Sequence, residues 1–250
     1  LDTYEPYIKE FYDWYDRAAL TDRFFDERPD PERLLVDEQH ELGDFVNQPF
    51  EFALSESKEQ VGLRMWRSGG LWRDGVRQGV LVEKTVTLTP GQRGYDIAYR
   101  YQNLSDHDLC AWAAIENHIN LLAARAEDRF LVVNGDKANP PHLGAVSRAE
   151  QVGVLHLVEG WANWHLEWVP SEPVDFCRYP VRTVSLSEAG AESNDQGLAL
   201  LFALPLRLAP GETRTFGYRA RIHDGQPDLR KGTATGGGQK ASIRLARMKR

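Results

Sequence analysis

Apolar and polar residues alternate with period two from about residue 45 onward. In "VLVEKTVTLTPGQRGYDIAYRYQNLSD", Val82, Lys84, Val86 and Leu88 share one side, the chain turns at "TPGQRG", and Tyr95, Ile97, Tyr99 and Tyr101 return on one side. Alternation on both flanks of a Pro-Gly turn predicts a β-hairpin. "LCAWAAIENHINLLA", "GVLHLV" and "NWHLEWV" predict further strands, and "LALLFALPLRLAPGETRTFGYRARI" predicts a closing pair around Pro210-Gly211. Many strands joined by Gly, Pro, Asn and Asp turns, with little helix after residue 35, predict an all-β, antiparallel two-sheet sandwich.

The ends of the chain read differently. Tyr4, Tyr7, Ile8, Phe11, Tyr12 and Tyr15 fit one face of a helix, so residues 4–27 predict a short N-terminal helix. Pro29 and Pro31 in "RPDPER" should break it, because each removes a donor and disfavours the α region before it. From Asp224, "DGQPDLRKGTATGGGQKASIRLARMKR" is Gly-rich and basic with few apolar residues, the composition of a disordered tail. The expected organisation is a helix and linker over 1–35, a sandwich over 36–224 and a tail over 225–250.

At 250 residues the chain is long enough for one large core. The net charge of −7 and the scatter of Lys and Arg argue against a nucleic-acid footprint, and the basic tail is too short to alter that. No apolar run approaches the ~20 residues that span a bilayer, and no signal peptide is visible, so no membrane partner is expected. Cys110 and Cys177 lack metal or redox spacing. They read as free, buried thiols of a reducing, cytoplasmic compartment, and neither a metal nor a cofactor is expected. The chain opens on Leu, as a piece of a longer protein would.

Several groups of residues could carry chemistry. In "AIENHIN", Glu116, His118 and Asn120 alternate and so share one strand face. Such a trio could form an acid/base pair, hold a cation or bond sugar hydroxyls, or it could line a wet strand face. In "GWANWHLEW", Trp164, Leu166 and Trp168 read as core, while Trp161, Asn163, His165 and Glu167 share the other face, and an exposed Trp161 could stack on a sugar ring. In "LRMWRSGGLWRDGVRQG", Gly69-Gly70 reads as a turn ringed by Arg67, Arg73 and Arg77, without the helix that a phosphate loop needs. No G-x-S-x-G or H-E-x-x-H motif is present, and "SLSE" around Ser185 has no neighbouring His.

Three blocks, in order, resemble the C-terminal domain of the α-amylase/4-α-glucanotransferase enzymes of glycoside hydrolase family 57. "FYDWYDRAALTDRFF" is similar to the family's aromatic opening, "AWAAIENHINL" to its Glu- and Asn-bearing strand, and "YPVRTVSLSEAGAESNDQG" to its Pro-x-x-Thr-Val-Ser-x-Ser-Glu-x-Gly block. Ala19 and Arg23 stand where the family has Ser and His, and Ala191 and Asp195 where bulky aromatics are common. The resemblance implies a supersandwich of the galactose mutarotase type. It further implies an accessory module that packs against a catalytic (β/α) barrel or contacts an α-glucan, with Glu188 and Gln196 fixing a loop at the sandwich edge. The carbohydrate-binding candidates are then Trp161, Glu116, Asn120, Glu188 and Gln196. A free-standing sugar epimerase using Glu116 and His118 as acid and base, and a purely structural partner-binding module, are the alternatives.

Overall fold

The computed structural model describes residues 14–121, 123–187 and 190–229. Residues 4–13 of the helix expected over 4–27, the candidate Glu188 and the tail from 230 onward lie outside these residues. Among the described residues, fourteen strands and one short helix follow in chain order: β1 (Thr21–Phe25), α1 (Pro31–Leu35), β2 (Glu51–Glu56), β3 (Val61–Arg73), β4 (Val76–Leu88), β5 (Gly94–Asn103) and β6 (Leu109–Ile119). Then come β7 (Arg129–Val133), β8 (Asp136–His142), β9 (Ser147–Val152), β10 (Leu155–Glu159), β11 (Trp164–Pro170), β12 (Val174–Ser187), β13 (Gly190–Leu208) and β14 (Thr213–Asp224). They form a five-stranded sheet, order β1-β6-β13-β12-β9, and a nine-stranded sheet, order β2-β3-β4-β5-β14-β11-β10-β7-β8.

The alternation read from the sequence is what welds the two sheets together. Val80, Val82, Ile97, Tyr99, Tyr101, Phe216 and Tyr218 of the large sheet meet Ala111, Ala113, Ile115, Leu200, Phe202 and Leu204 of the small one in a single core. Burial of each large side chain contributes about 1.5–3 kcal/mol. Lys84, on the core side of β4, is neutralised where it lies: its Nζ is 2.6 Å from Asp22 Oδ2 and donates to the Leu20 carbonyl. A second cluster of Phe25, Leu34, Ala114, Cys177, Tyr179, Ala199, Leu201 and Ala203 covers the outer face of the small sheet.

Four local readings are corrected. Residues 14–27 are not helical; Thr21–Phe25 pair with β6 as an edge strand, so tertiary pairing overrides the expected helix there and draws this segment into the sandwich. "RPDPER" starts a helix instead of ending one, because Asp30 caps it by accepting from the Glu32 N–H, and Pro31 occupies the first turn, where no donor is needed. Gly69 and Gly70 lie inside β3, and the turn falls on Asp74 and Gly75 with φ of 50° and 77°. Gly69 serves close packing instead: a Cβ there would sit 2.4 Å from the Phe45 ring. β13 and β14 are not a paired hairpin, because their connection carries the chain from one sheet to the other.

Cys110 and Cys177 are free, but only Cys177 is buried, which pushes its thiol up to about 12. Among the described residues no helix is long and apolar enough to cross a membrane.

Candidate functional site

β6 ends at Ile119 opposite Leu198, while the β12–β13 hairpin continues past that end through pairs from Arg182↔Asp195 to Ser187↔Gly190. A register shift after Val181 places Gln196 at the step, and Asn120 leaves β6 beside it. Both are exposed. The loop after Asn120 crosses to β7, whose Arg129 pairs with Glu159. The next residues, 160–163, form the turn that carries Trp161, 81 % exposed. Asn120, Gln196, the hairpin and Trp161 therefore occupy one end of the sandwich. Trp161 does not share a strand face with His165 and Glu167, as expected from alternation, because the chain turns there, with Asn163 at φ 56°. Trp168 is core and Trp164 packs against it.

At this end lies a cleft of about 570 Å³ bordered by Ala123, Ala124, Arg125, Arg182, Ser193, Asn194 and Asp195. Asp195 is its pivot. Its Oδ2 is 2.9 Å from Arg125 Nε and its Oδ1 3.3 Å from Arg182 Nε. Two guanidiniums, a carboxylate, an amide and a hydroxyl give donors and acceptors side by side, which suits ligands whose hydroxyls both donate and accept.

Glu116 and His118 sit elsewhere, on the outer face of the small sheet. Glu116 is fully buried. Its Oε1 accepts from Arg17 Nη1 at 2.6 Å, and its Oε2 accepts from Arg23 Nη1 at 3.2 Å and from Tyr179 OH at 3.2 Å. Tyr15 OH lies 3.0 Å from both oxygens. Arg23 is shared with Glu41, whose Oε2 is 2.9 Å from its Nε. Burial by itself would raise the Glu116 pKa, but Arg17 and Arg23, with hydrogen bonds from Arg17 and Tyr15, outweigh burial and hold it below the usual carboxylate range. This is an ionised anchor for residues 15–23, enclosed within the described chain. His118 lies over Gly197, where a Cβ would come 2.4 Å from its Nε2.

Sequence reasoning missed Arg125, Arg182 and the anchor's Tyr15, Arg17 and Tyr179. The carboxylate Asp195 was noticed only as a departure from an aromatic position. Its partners lie in another strand and in a loop, and no local pattern links them.

Two antiparallel sheets of five and nine strands define a supersandwich of the galactose mutarotase class. A galactose mutarotase-like protein from Clostridium acetobutylicum shares that fold with a TM-score of 0.57 at 8 % identity, over 82 % of this chain and 79 % of that one. Residues 8–214 match the family described as "Alpha-amylase/4-alpha-glucanotransferase, C-terminal", and the chain belongs to that family. It is 26 % identical over 196 residues to the 4-alpha-glucanotransferase of Thermococcus litoralis, covering 78 % of this chain and 25 % of the relative. The crystal structure of that enzyme matches with a TM-score of 0.64 at 24 % identity, over 87 % of this chain and 29 % of that one. Alpha-amylase 1 of Dictyoglomus thermophilum is 26 % identical over 203 residues, 81 % of this chain and 28 % of the relative. The chain thus spans about a quarter of the length of these relatives.

Proposed function

We propose that this sandwich is the accessory module of an α-glucan-processing enzyme of the glycoside hydrolase family 57 type. It works beside a catalytic (β/α) barrel and presents its β12–β13 end to the glucan. The observation that carries the reading is the polar cleft of Arg125, Arg182, Asn194 and Asp195, built on the hairpin that holds the third of the three sequence blocks. Trp161, Asn120 and Gln196 are assigned to the rim of the same surface, Glu188 is kept as a glucan contact on the family resemblance alone, and a cytoplasmic setting belongs to this reading. An acid/base role for Glu116 and His118 is set aside because the Glu116 carboxylate is enclosed and spent on two arginines.

Titrating the chain with maltoheptaose while following tryptophan fluorescence tests the assignment. Saturable binding that weakens in Arg182→Ala and leaves thermal stability unchanged supports it. Binding that Arg182→Ala leaves untouched removes the cleft from the account.

A further inference from the structure

The outer face of the nine-stranded sheet carries a separate group of ligating side chains. Register sets His156 of β10 opposite Glu167 of β11, and His165 of β11 opposite His223 of β14. The three imidazoles lie in a row, with ring centroids 5.2 Å apart for His156 and His165 and 4.9 Å apart for His165 and His223. Glu167 Oε1 is 3.6 Å from His223 Nε2. His165 Nδ1 is 2.8 Å from the Gly225 carbonyl oxygen, which can only accept. That nitrogen carries the proton, and Nε2 keeps the lone pair in the neutral ring. A backbone carbonyl that orients an imidazole in this way is a common outer partner of a metal ligand. His156 Nδ1 is buried and has no hydrogen-bond partner. A cleft of about 420 Å³ borders all four side chains and is lined in part by residues 226–229.

We propose that His156, His165, His223 and Glu167 bind one divalent transition-metal ion of the Zn²⁺ class. Three imidazoles and a carboxylate are a donor set suited to such an ion, and together they leave it a single net positive charge. In the structure the rings of His165 and His223 stack at 20°, and among the described residues no three donors yet surround one point. Ligation therefore turns the His223 ring, whose side chain is 45 % exposed, away from the stack. The bound ion would staple β10, β11 and β14 together beneath the segment that follows Gly225.

The test is calorimetric titration of the chelator-treated 250-residue chain with Zn²⁺, with its melting temperature followed in parallel. One ion per chain and a melting temperature that rises with Zn²⁺ are expected. His223→Ala and Glu167→Gln change partly exposed side chains. Each should weaken binding at least about tenfold, the loss known for disturbing even an outer partner of a metal ligand. His107→Ala, at an exposed histidine in the β5–β6 loop, should leave binding unchanged. Circular dichroism establishes that each variant is folded. No binding to the folded chain up to about 100 μM Zn²⁺, about a hundred times weaker than micromolar affinity, overturns the proposal. Binding that is lost in His107→Ala but kept in His223→Ala overturns it equally.

Discussion

Replacing Glu116 by Gln keeps the shape of the side chain and removes one buried charge. Arg17 and Arg23 then both lose the Glu116 carboxylate, and Arg23 keeps its pair with Glu41. Breaking a buried ion pair from one side costs about 3–5 kcal/mol, because the charge left behind stays desolvated. For a domain of this size each kcal/mol is worth about 2–4 °C, so the melting temperature should fall by about 6–20 °C. Scanning calorimetry and urea unfolding measure this directly. Arg17→Met in the Glu116→Gln background should cost less than in the parent chain, with a coupling of about 1–3 kcal/mol. The pH dependence follows the same sign. The folded pKa of Glu116 lies below its unfolded value, so the anchor's stability is present above the unfolded carboxylate range and lost as pH falls through the folded pKa. A Gln variant that melts within about 2 °C of the parent, less than 1 kcal/mol on this scale, would refute the anchor and return Glu116 to the list of candidate acids.

Gly197→Ala should destabilise the chain by about 1–3 kcal/mol, because the new methyl meets His118 Nε2 at 2.4 Å; unchanged urea unfolding would contradict this. Lys84→Met should cost about 3–5 kcal/mol by leaving the Asp22 carboxylate buried without its cation, and adding Asp22→Leu should recover most of that loss in the same assay. The His156 pKa is lowered, first by burial and further by His165 and His223, against an opposing pull from Glu167. Its contribution to stability should be present above about pH 6.5 and be lost as pH falls through the lower folded value, by at most about 1.4 kcal/mol per pH unit. His156→Gln should flatten that part of the calorimetric pH profile.

Much of the sandwich was legible because period two is dictated by which side of a strand meets the core. Val82, Ile97, Tyr99 and Tyr101 are core residues as their alternation required, and even Lys84 lies on the side that its position assigned to it. Partner choice was not legible. "LALLFALPLRLAPGETRTFGYRARI" looks like a hairpin, yet its halves enter different sheets, because a tight turn fixes a reversal of direction and leaves the choice of sheet to packing. Residues 14–27 read as the end of a helix but serve as an anchor: Tyr15 reaches Glu116 from an irregular segment, and Phe25 packs on the outer face of the small sheet. The sites show the same limit. Glu116 and His118 do share a face, but whether that face is wet depends on Tyr15, Arg17 and Tyr179, which arrive from up to 101 residues away along the chain. His165 and Glu167 were paired by alternation, whereas His156 and His223 join them only through strand order.

The central claim is that the β12–β13 end of this sandwich holds α-glucan without cutting it. Affinity electrophoresis of the chain through gels with and without soluble starch, with an assay of new reducing ends on the same sample, tests it most directly. Retardation by starch that is reduced in Arg182→Ala, with no new reducing ends, is the predicted result. Equal mobility in both gels, or starch hydrolysis by the purified chain, would contradict it.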